Sequence, residues 1–344
     1  MATNSIKEVA RRAGVSIGTV SNVLNRPDLV APATRQRVLE AISTLGYVRN
    51  DSARQLRAGH SRTVAVVVLD VSNPFFTDVV RGAEAALDDS GSMVIVCNSD
   101  EDPARERRHL DHLEEQRVRG VLITPVDDGS NARLDLLIRH GIPVILVDRG
   151  ARTRNRCSVA VDDVLGGRLA ATHLLERGHR RIAYVGGPMG IAQVADRHAG
   201  AAAIVAETPQ AKLQLFEMPA LTTAYGRKAG EQVADAAPSR RPTAVFCAND
   251  LLALGVLQEM TRRGLKVPGD IAIVGYDDIE YAGAAAVPLS SVAQPRELLG
   301  RTAAELLVGE ISDGELHRHR QVLFEPELVV RESSDSTLSP SRHR

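Results

Sequence analysis

Two rhythms of apolar residues divide the chain. Between residues 5 and 45 they recur three and four apart, the spacing of one helical face: Ile6, Val9, Ala10 and Ala13, then Val20, Val23 and Leu24, then Val38, Ala41, Ile42 and Leu45. Ser5 with Glu8 forms a capping-box signal, Gly14 supplies a left-handed helix stop, and Ser16 can cap the next helix. Two short helices around a glycine-containing turn, followed by a third over about 32–45, give the helix-turn-helix pattern. From Arg62 the texture changes to unbroken apolar runs, TVAVVVLD, MVIVCN, GVLITP and PVILVD, separated by helical stretches near 77–90, 103–117 and 131–140. The rhythm restarts after Asp162. Helices near 163–177, 195–206, 224–236 and 250–263 alternate there with RIAYVGG, a strand near 213–217, TAVFCAN and IAIVGYDD. Such runs suit strands buried on both faces, and the alternation predicts doubly wound parallel sheets. Two similar α/β halves imply a cleft, with ligand groups at the carboxyl ends of the strands.

Charge adds a second division. Residues 1–60 hold nine basic and four acidic side chains, so a head of +5 sits on a body of −6, within a net charge of −1. A basic head on an acidic body fits a protein in which only the head meets a polyanion, although a solvated basic face has the same composition. In a helix-turn-helix the second helix enters the major groove with its N-terminal side chains at base edges. Ile17, Gly18, Ser21 and Asn22 hold those positions; Asn22 suits adenine and Ile17 a thymine methyl. Ser16, Thr19, Asn25 and Arg35 suit phosphates, which fix register.

The strand ends of the body are polar: Asp70 with Asn73, Asn98, Asp148 with Arg149, Asn249 with Asp250, and Asp277 with Asp278. Helix caps explain any one of them, and their accumulation at successive strand ends suits a polar ligand. Cys97, Cys157 and Cys247 are scattered without a CxxC pair, which suits a reducing compartment. The opening residues lack a signal peptide's apolar segment and no run is long enough to span a bilayer, so the expected location is cytoplasmic, away from membranes.

The run from Ile6 to Gly59 resembles the headpiece of the LacI/GalR family of bacterial regulators. The resemblance is carried by Val9-Ala10, Ala13-Gly14-Val15-Ser16, Thr19-Val20-Ser21, Val23-Leu24-Asn25, Thr34-Arg35, Val38 and Leu45-Gly46-Tyr47. It implies a headpiece over 1–49 and a hinge helix with linker over 50–61. In that hinge Leu56 would wedge open a central base step, with Ala53 beside it in the minor groove. Over 62–330 the body resembles the family's sensor, a type I periplasmic-binding-protein fold, in its cleft also similar to ribose-binding proteins. Asn73, Phe75 and Phe76 resemble a sugar-stacking segment and Asp148-Arg149 a hydroxyl-binding pair. Arg197, Asn249, Asp277 and Gln294 stand in matching contexts. Where related sensors often place a second aromatic, this chain has Leu221.

The resemblance implies an N-subdomain of about 62–161 with 290–320 and a C-subdomain of about 162–289 with 321–330. The chain should cross between them near 161–163, 288–293 and 320. The polar stretch 331–344 reads as a disordered tail without a leucine heptad. The expected function is a homodimeric transcriptional regulator, acting as a repressor on double-stranded operator DNA under a small effector such as a pentose. No cofactor or metal is expected: the acidic pairs have no histidine at ligand spacing, and His317 with His319 make a poor metal pair without further ligands. Rival readings are a soluble sugar-binding receptor, disfavoured by the basic head, and a sugar or nucleoside enzyme, for which no nucleophile–base pair is found.

Overall fold

The computed structural model describes residues 5–47, 61–127, 131–151, 155–335 and 337. The chain divides into two compact units between residues 60 and 61.

The first unit holds α1 (Ile6–Ala13), α2 (Ile17–Asn25) and α3 (Pro32–Leu45). Their ends form for the reasons the sequence gives. Glu8 accepts the Ser5 backbone N–H at 2.9 Å, Gly14 ends α1 at φ +64°, and Ser16 Oγ accepts the Thr19 N–H at 3.0 Å. Pro32 opens α3, where its missing N–H costs nothing. Val9, Val20 and Val38, one from each helix, are fully buried at the centre of this small core.

The second unit is a pair of six-stranded sheets. Sheet one contains β1 (Thr63–Val68), β2 (Met93–Asn98), β3 (Gly120–Ile123), β4 (Val144–Val147), β5 (Ser158–Val161) and β11 (Gln321–Phe324), in the order β11-β5-β4-β3-β1-β2. Sheet two contains β6 (Arg181–Gly186), β7 (Lys212–Glu217), β8 (Ala244–Cys247), β9 (Ala272–Asp277), β10 (Ser290–Ala293) and β12 (Glu327–Val329), in the order β12-β10-β9-β8-β6-β7. All pairings are parallel except β10 with β12. Both faces of β1 are covered: Val64, Val66 and Val68 enter one apolar cluster and Ala65 and Val67 another. That explains the unbroken apolar run.

The helices of the first lobe are α4 (Pro74–Asp88), α5 (Pro103–Glu115), α6 (Asn131–Arg139) and α12 (Arg296–Asp313). Those of the second are α7 (Asp163–Glu176), α8 (Ala192–Glu207), α9 (Thr223–Asp235), α10 (Asp250–Arg262) and the short α11 (Glu280–Ala284). The lobes repeat one packing device. A Cβ at Gly82 or Gly300 would stand 1.9 or 1.8 Å from a carbonyl oxygen of the partner helix, so α4 and α12 touch backbone to backbone. Gly167 and Gly200 do the same for α7 and α8, at 2.0 Å each.

Two expected boundaries need correction. Strand 290–293 pairs with β9 in the second sheet, and strand 321–324 pairs with β5 in the first. The crossings therefore fall at 161–163, 293–296 and 324–327. An apolar run marks a strand, but which sheet receives it depends on long-range pairing that periodicity does not encode. Residues 333–335, expected within a disordered tail, are ordered. Ser333, Ser334 and Asp335 are buried; Ser333 Oγ donates to the Ile273 carbonyl at 2.6 Å and accepts the Ser290 N–H at 2.8 Å. Ser334 Oγ lies 2.7 Å from His173 Nε2. Polar composition suggested disorder, yet these hydroxyls complete a buried hydrogen-bond knot.

Candidate functional site

On the headpiece, Ser16, Ile17, Gly18, Asn22, Asn25 and Arg35 are exposed, while Thr19 and Ser21 are half-buried. Ile17 leaves 45% of its surface in solvent, an apolar residue that the core does not use. Ser16 and Thr19 share a 2.9 Å hydroxyl bond, and Asn25 Nδ2 donates to the Ser21 carbonyl at 2.8 Å. The side chains assigned to phosphates thus also brace α2, whereas Ile17 and Asn22 project from it. Ala53 and Leu56 lie outside the described residues.

In the second unit, a cavity of about 30 Å³ opens where strands of both sheets end. Asn73, Phe75, Phe76, Asp148, Arg197, Asn249 and Asp277 line it, together with Leu69, Asp70, Glu101, Ile191, Gln193, Val194 and Leu221. Helix caps aim several of these groups. Asn73 Oδ1 accepts the Phe75 N–H at 3.0 Å, capping α4, while its Nδ2 donates across to Asp277 Oδ2 at 3.3 Å. Asn249 caps α10 and donates to the Leu221 carbonyl at 3.1 Å. The cap reading of Asn73 and Asn249 holds, and the same two side chains line the cavity. Asp148 and Asp277 stand at φ +55° and +100°, the left-handed region that asparagine and aspartate tolerate better than most residues. Such strained positions cluster where function holds them.

Charge is concentrated here. Arg197, 4% exposed, donates to Asp163 Oδ1 at 2.7 Å and to the Ala248 carbonyl at 2.7 Å, and stands 3.7 Å from Asp277. Its guanidinium lies 3.7 Å above the Tyr276 ring. Burial alone would weaken the Arg197 charge; Asp163, Tyr276, Asp277 and Asp148 outweigh that and fix it as a cation. Burial pushes the Asp148 carboxyl well above the usual range, with Asp163 repelling its charge. Burial also lifts Asp277 to about 6, against the pull of Arg197, Asn73 and Gln294. Glu101 rises to about 7 through burial and the neighbouring Asp70 and Asp100. Asp148 Oδ1 is buried without a hydrogen-bond partner. A cleft in which carboxyl groups stand beside amides and a guanidinium can receive a molecule that both donates and accepts several hydrogen bonds.

The sequence of residues 5–50 matches the bacterial regulatory proteins of the lacI family, and residues 171–334 match a periplasmic binding protein-like domain. An HTH-type transcriptional repressor PurR from Vibrio parahaemolyticus serotype O3:K6 is 36% identical over 330 residues, covering 95% of this chain and 97% of that one. The chain belongs to the LacI family. Among solved structures, a lac repressor dimer bound to operator and the anti-inducer ONPF superposes with a TM-score of 0.82 at 28% identity, over 97% of this chain and 99% of that one. A LacI-family regulator from Enterococcus faecium with bound ribose gives 0.71 at 29% identity, over 79% and 98%. This LacI-family chain is thus a DNA-binding transcriptional regulator, not an enzyme, with a sensor of periplasmic-binding-protein type. No helix among its described residues is long and apolar enough to cross a membrane.

Two of the sequence-assigned cleft residues stand apart from the cavity. Gln294 lies behind Asp277, donating to Oδ1 at 2.8 Å, and Arg149 is half-buried outside the lining. Gln193, which donates to the Asp148 carbonyl at 2.6 Å, has no strand-end signal and is not reached from sequence. Nor is Arg296, which ties the lobes by donating to Asp78 at 2.8 Å and to the Asp277 carbonyl at 2.6 Å. The pair His317 and His319 does not stand alone, because folding brings Cys157 and Glu310 to it. The residues are too far apart in sequence for spacing to reveal this.

Proposed function

We propose that this regulator is a cytoplasmic homodimeric repressor whose hold on an operator is set by a polyhydroxylated ligand of the pentose class, bound between the sensor lobes. The partnerless Asp148 Oδ1, inside a lining that also offers Asp277, Asn73, Asn249 and Arg197, carries this reading. Carboxylates accept from paired hydroxyls, the guanidinium donates a rigid fork, and Phe75 and Phe76, packed edge to face at 5.0 Å, offer an apolar wall for the C–H face of a sugar. The ribose-bound regulator from Enterococcus faecium supports the same class. Asn73 bonded to Asp277 and Gln193 bonded to Asp148 close the lobes over the cavity. Ligand enters when the lobes part, breaking both contacts and replacing them with its own groups. That differential contact is what lets a ligand shift the lobe equilibrium.

In the head, Ile17, Ser21 and Asn22 read base edges, with Gly18 beside them lacking a side chain to reach a base; Ser16, Thr19, Asn25 and Arg35 hold phosphates; Ala53 and Leu56 serve the minor groove. Two heads related by a dyad fit a near-palindromic site. A second reading, a nucleobase or nucleoside ligand, is favoured by the full-length similarity to the PurR repressors. Thermal-shift and calorimetric titration with pentoses, hexoses, nucleobases and nucleosides separates the two, since a ligand that binds only the native state raises the melting temperature. Mobility shift with the positive compound then reads the change in operator affinity. Full-length protein that prefers no DNA site over bulk competitor, with and without the compound, would overturn the proposal.

A further inference from the structure

Away from the cleft, one edge of the first lobe gathers Cys157, Glu310, His317 and His319, with one potential ligand atom from each inside 4.8 Å of the others. Cys157 precedes β5, Glu310 lies near the end of α12, and the two histidines fill the link into β11. Cys157 Sγ is 3.2 Å from His317 Nε2 and 3.9 Å from His319 Nδ1. Glu310 Oε2 is 3.9 and 3.7 Å from the same two nitrogens. Bond lengths of about 2.0–2.3 Å around a tetrahedral zinc ion require ligand-to-ligand separations of roughly 3.3–3.8 Å. Four edges of the observed tetrahedron fall within a few tenths of an ångström of that range.

Hydrogen bonding alone does not account for the arrangement. Glu310 Oε2 is buried and has no hydrogen-bond partner, although two ring nitrogens face it from 3.7–3.9 Å. That distance is long for a hydrogen bond and right for two ligands of one ion. His317 Nδ1 lies 3.4 Å from Asp313 Oδ2, the outer carboxylate contact that orients a metal-ligating histidine and leaves Nε2 free to coordinate. The Arg320 backbone N–H points at Cys157 Sγ from 3.3 Å, as it would at a bound thiolate. A redox role for this cysteine is disfavoured: the side chain is fully buried, and burial pushes its thiol up, away from the reactive thiolate.

We propose that Cys157, Glu310, His317 and His319 bind a divalent transition-metal ion, with zinc as the ion that the donor set suits best. One thiolate and one carboxylate neutralise its two positive charges, and the thiol proton passes to solvent on binding. The bound ion joins the start of β5, the end of α12 and the link into β11, and so pins the edge of the lobe from which the chain leaves for its last crossing.

Tag-free full-length protein, stripped by chelation and titrated with Co²⁺, should take up one ion per chain, with tetrahedral visible bands and a thiolate-to-cobalt band in the near ultraviolet that Zn²⁺ abolishes. Cys157→Ser should lose the near-ultraviolet band. His319→Gln removes a ligand that is exposed at the surface, so folding by circular dichroism should be unchanged while affinity falls at least about 10–100-fold. Wild-type protein with no tetrahedral cobalt spectrum, a thiolate band that survives Cys157→Ser, or equal affinity in His319→Gln would each overturn the proposal.

Discussion

Ile17 and Asn22 on the headpiece face solvent, whereas Asp148, Arg197 and Asp277 in the cleft are each no more than 5% exposed. The headpiece side chains assigned to DNA, Arg35 apart, are uncharged, and those that brace α2 do so over three or four residues of sequence. The cleft depends on charge held in low dielectric, with partners that come from both lobes. Where functional groups stand in water, a fold can exchange them at little cost. Where they are buried, recognition and stability are the same interactions, so one cannot be altered without the other.

Four experiments bear on that contrast. Deleting residues 1–60, which form a separate unit, should abolish operator binding and leave calorimetric ligand affinity intact; operator binding by the truncated chain would erase the division of labour. Arg197→Ala should abolish the ligand response and also destabilise the sensor by about 3–5 kcal/mol in denaturant melts, because Asp163 keeps a buried charge without its partner. A response lost with stability unchanged would separate the two roles.

Asp277→Asn should act in the opposite direction on stability. Burial raises this carboxyl from 3.8 to about 6, so the folded state holds its proton more tightly than the unfolded chain. Its favourable contribution is complete below about pH 4 and is lost as pH rises through about 6. At pH 8 the wild type thus carries a penalty of about 3 kcal/mol that the amide avoids. The amide oxygen can keep the bond donated by Gln294 Nε2. The variant should melt higher than wild type at pH 8, match it near pH 4, and respond poorly to ligand; identical curves at both pH values would refute this. Asn22→Ala should have the smallest effect, weakening operator binding by about 1–3 kcal/mol with no change in melting temperature. An equal loss on random DNA would show that Asn22 does not read a base.

The helices and most central strands were legible because their cause is local. Capping by Ser5 and Glu8, the stop at Gly14 and the apolar run of β1 are written within a few residues. The candidate cleft was legible in part for the same reason: Asn73, Asp148, Asn249 and Asp277 all stand at strand ends. Gln193 and Arg296 were not, because each matters only through a partner on the other lobe, Asp148 for one and the Asp277 carbonyl for the other. The serines at 333 and 334 gave a misleading signal. Their hydroxyls look solvated in sequence and are paired in the fold.

Three passages between the lobes mean that neither lobe is encoded by one uninterrupted stretch of the gene. A single splice at residue 60 can graft this sensor onto another head. No single splice beyond it can trade one lobe for that of a relative, because each lobe takes its edge strand from chain that has already visited the other. Recombination can therefore exchange the head or the whole sensor in one step, while a change confined to one lobe needs several exchanges or point substitution around the existing cleft.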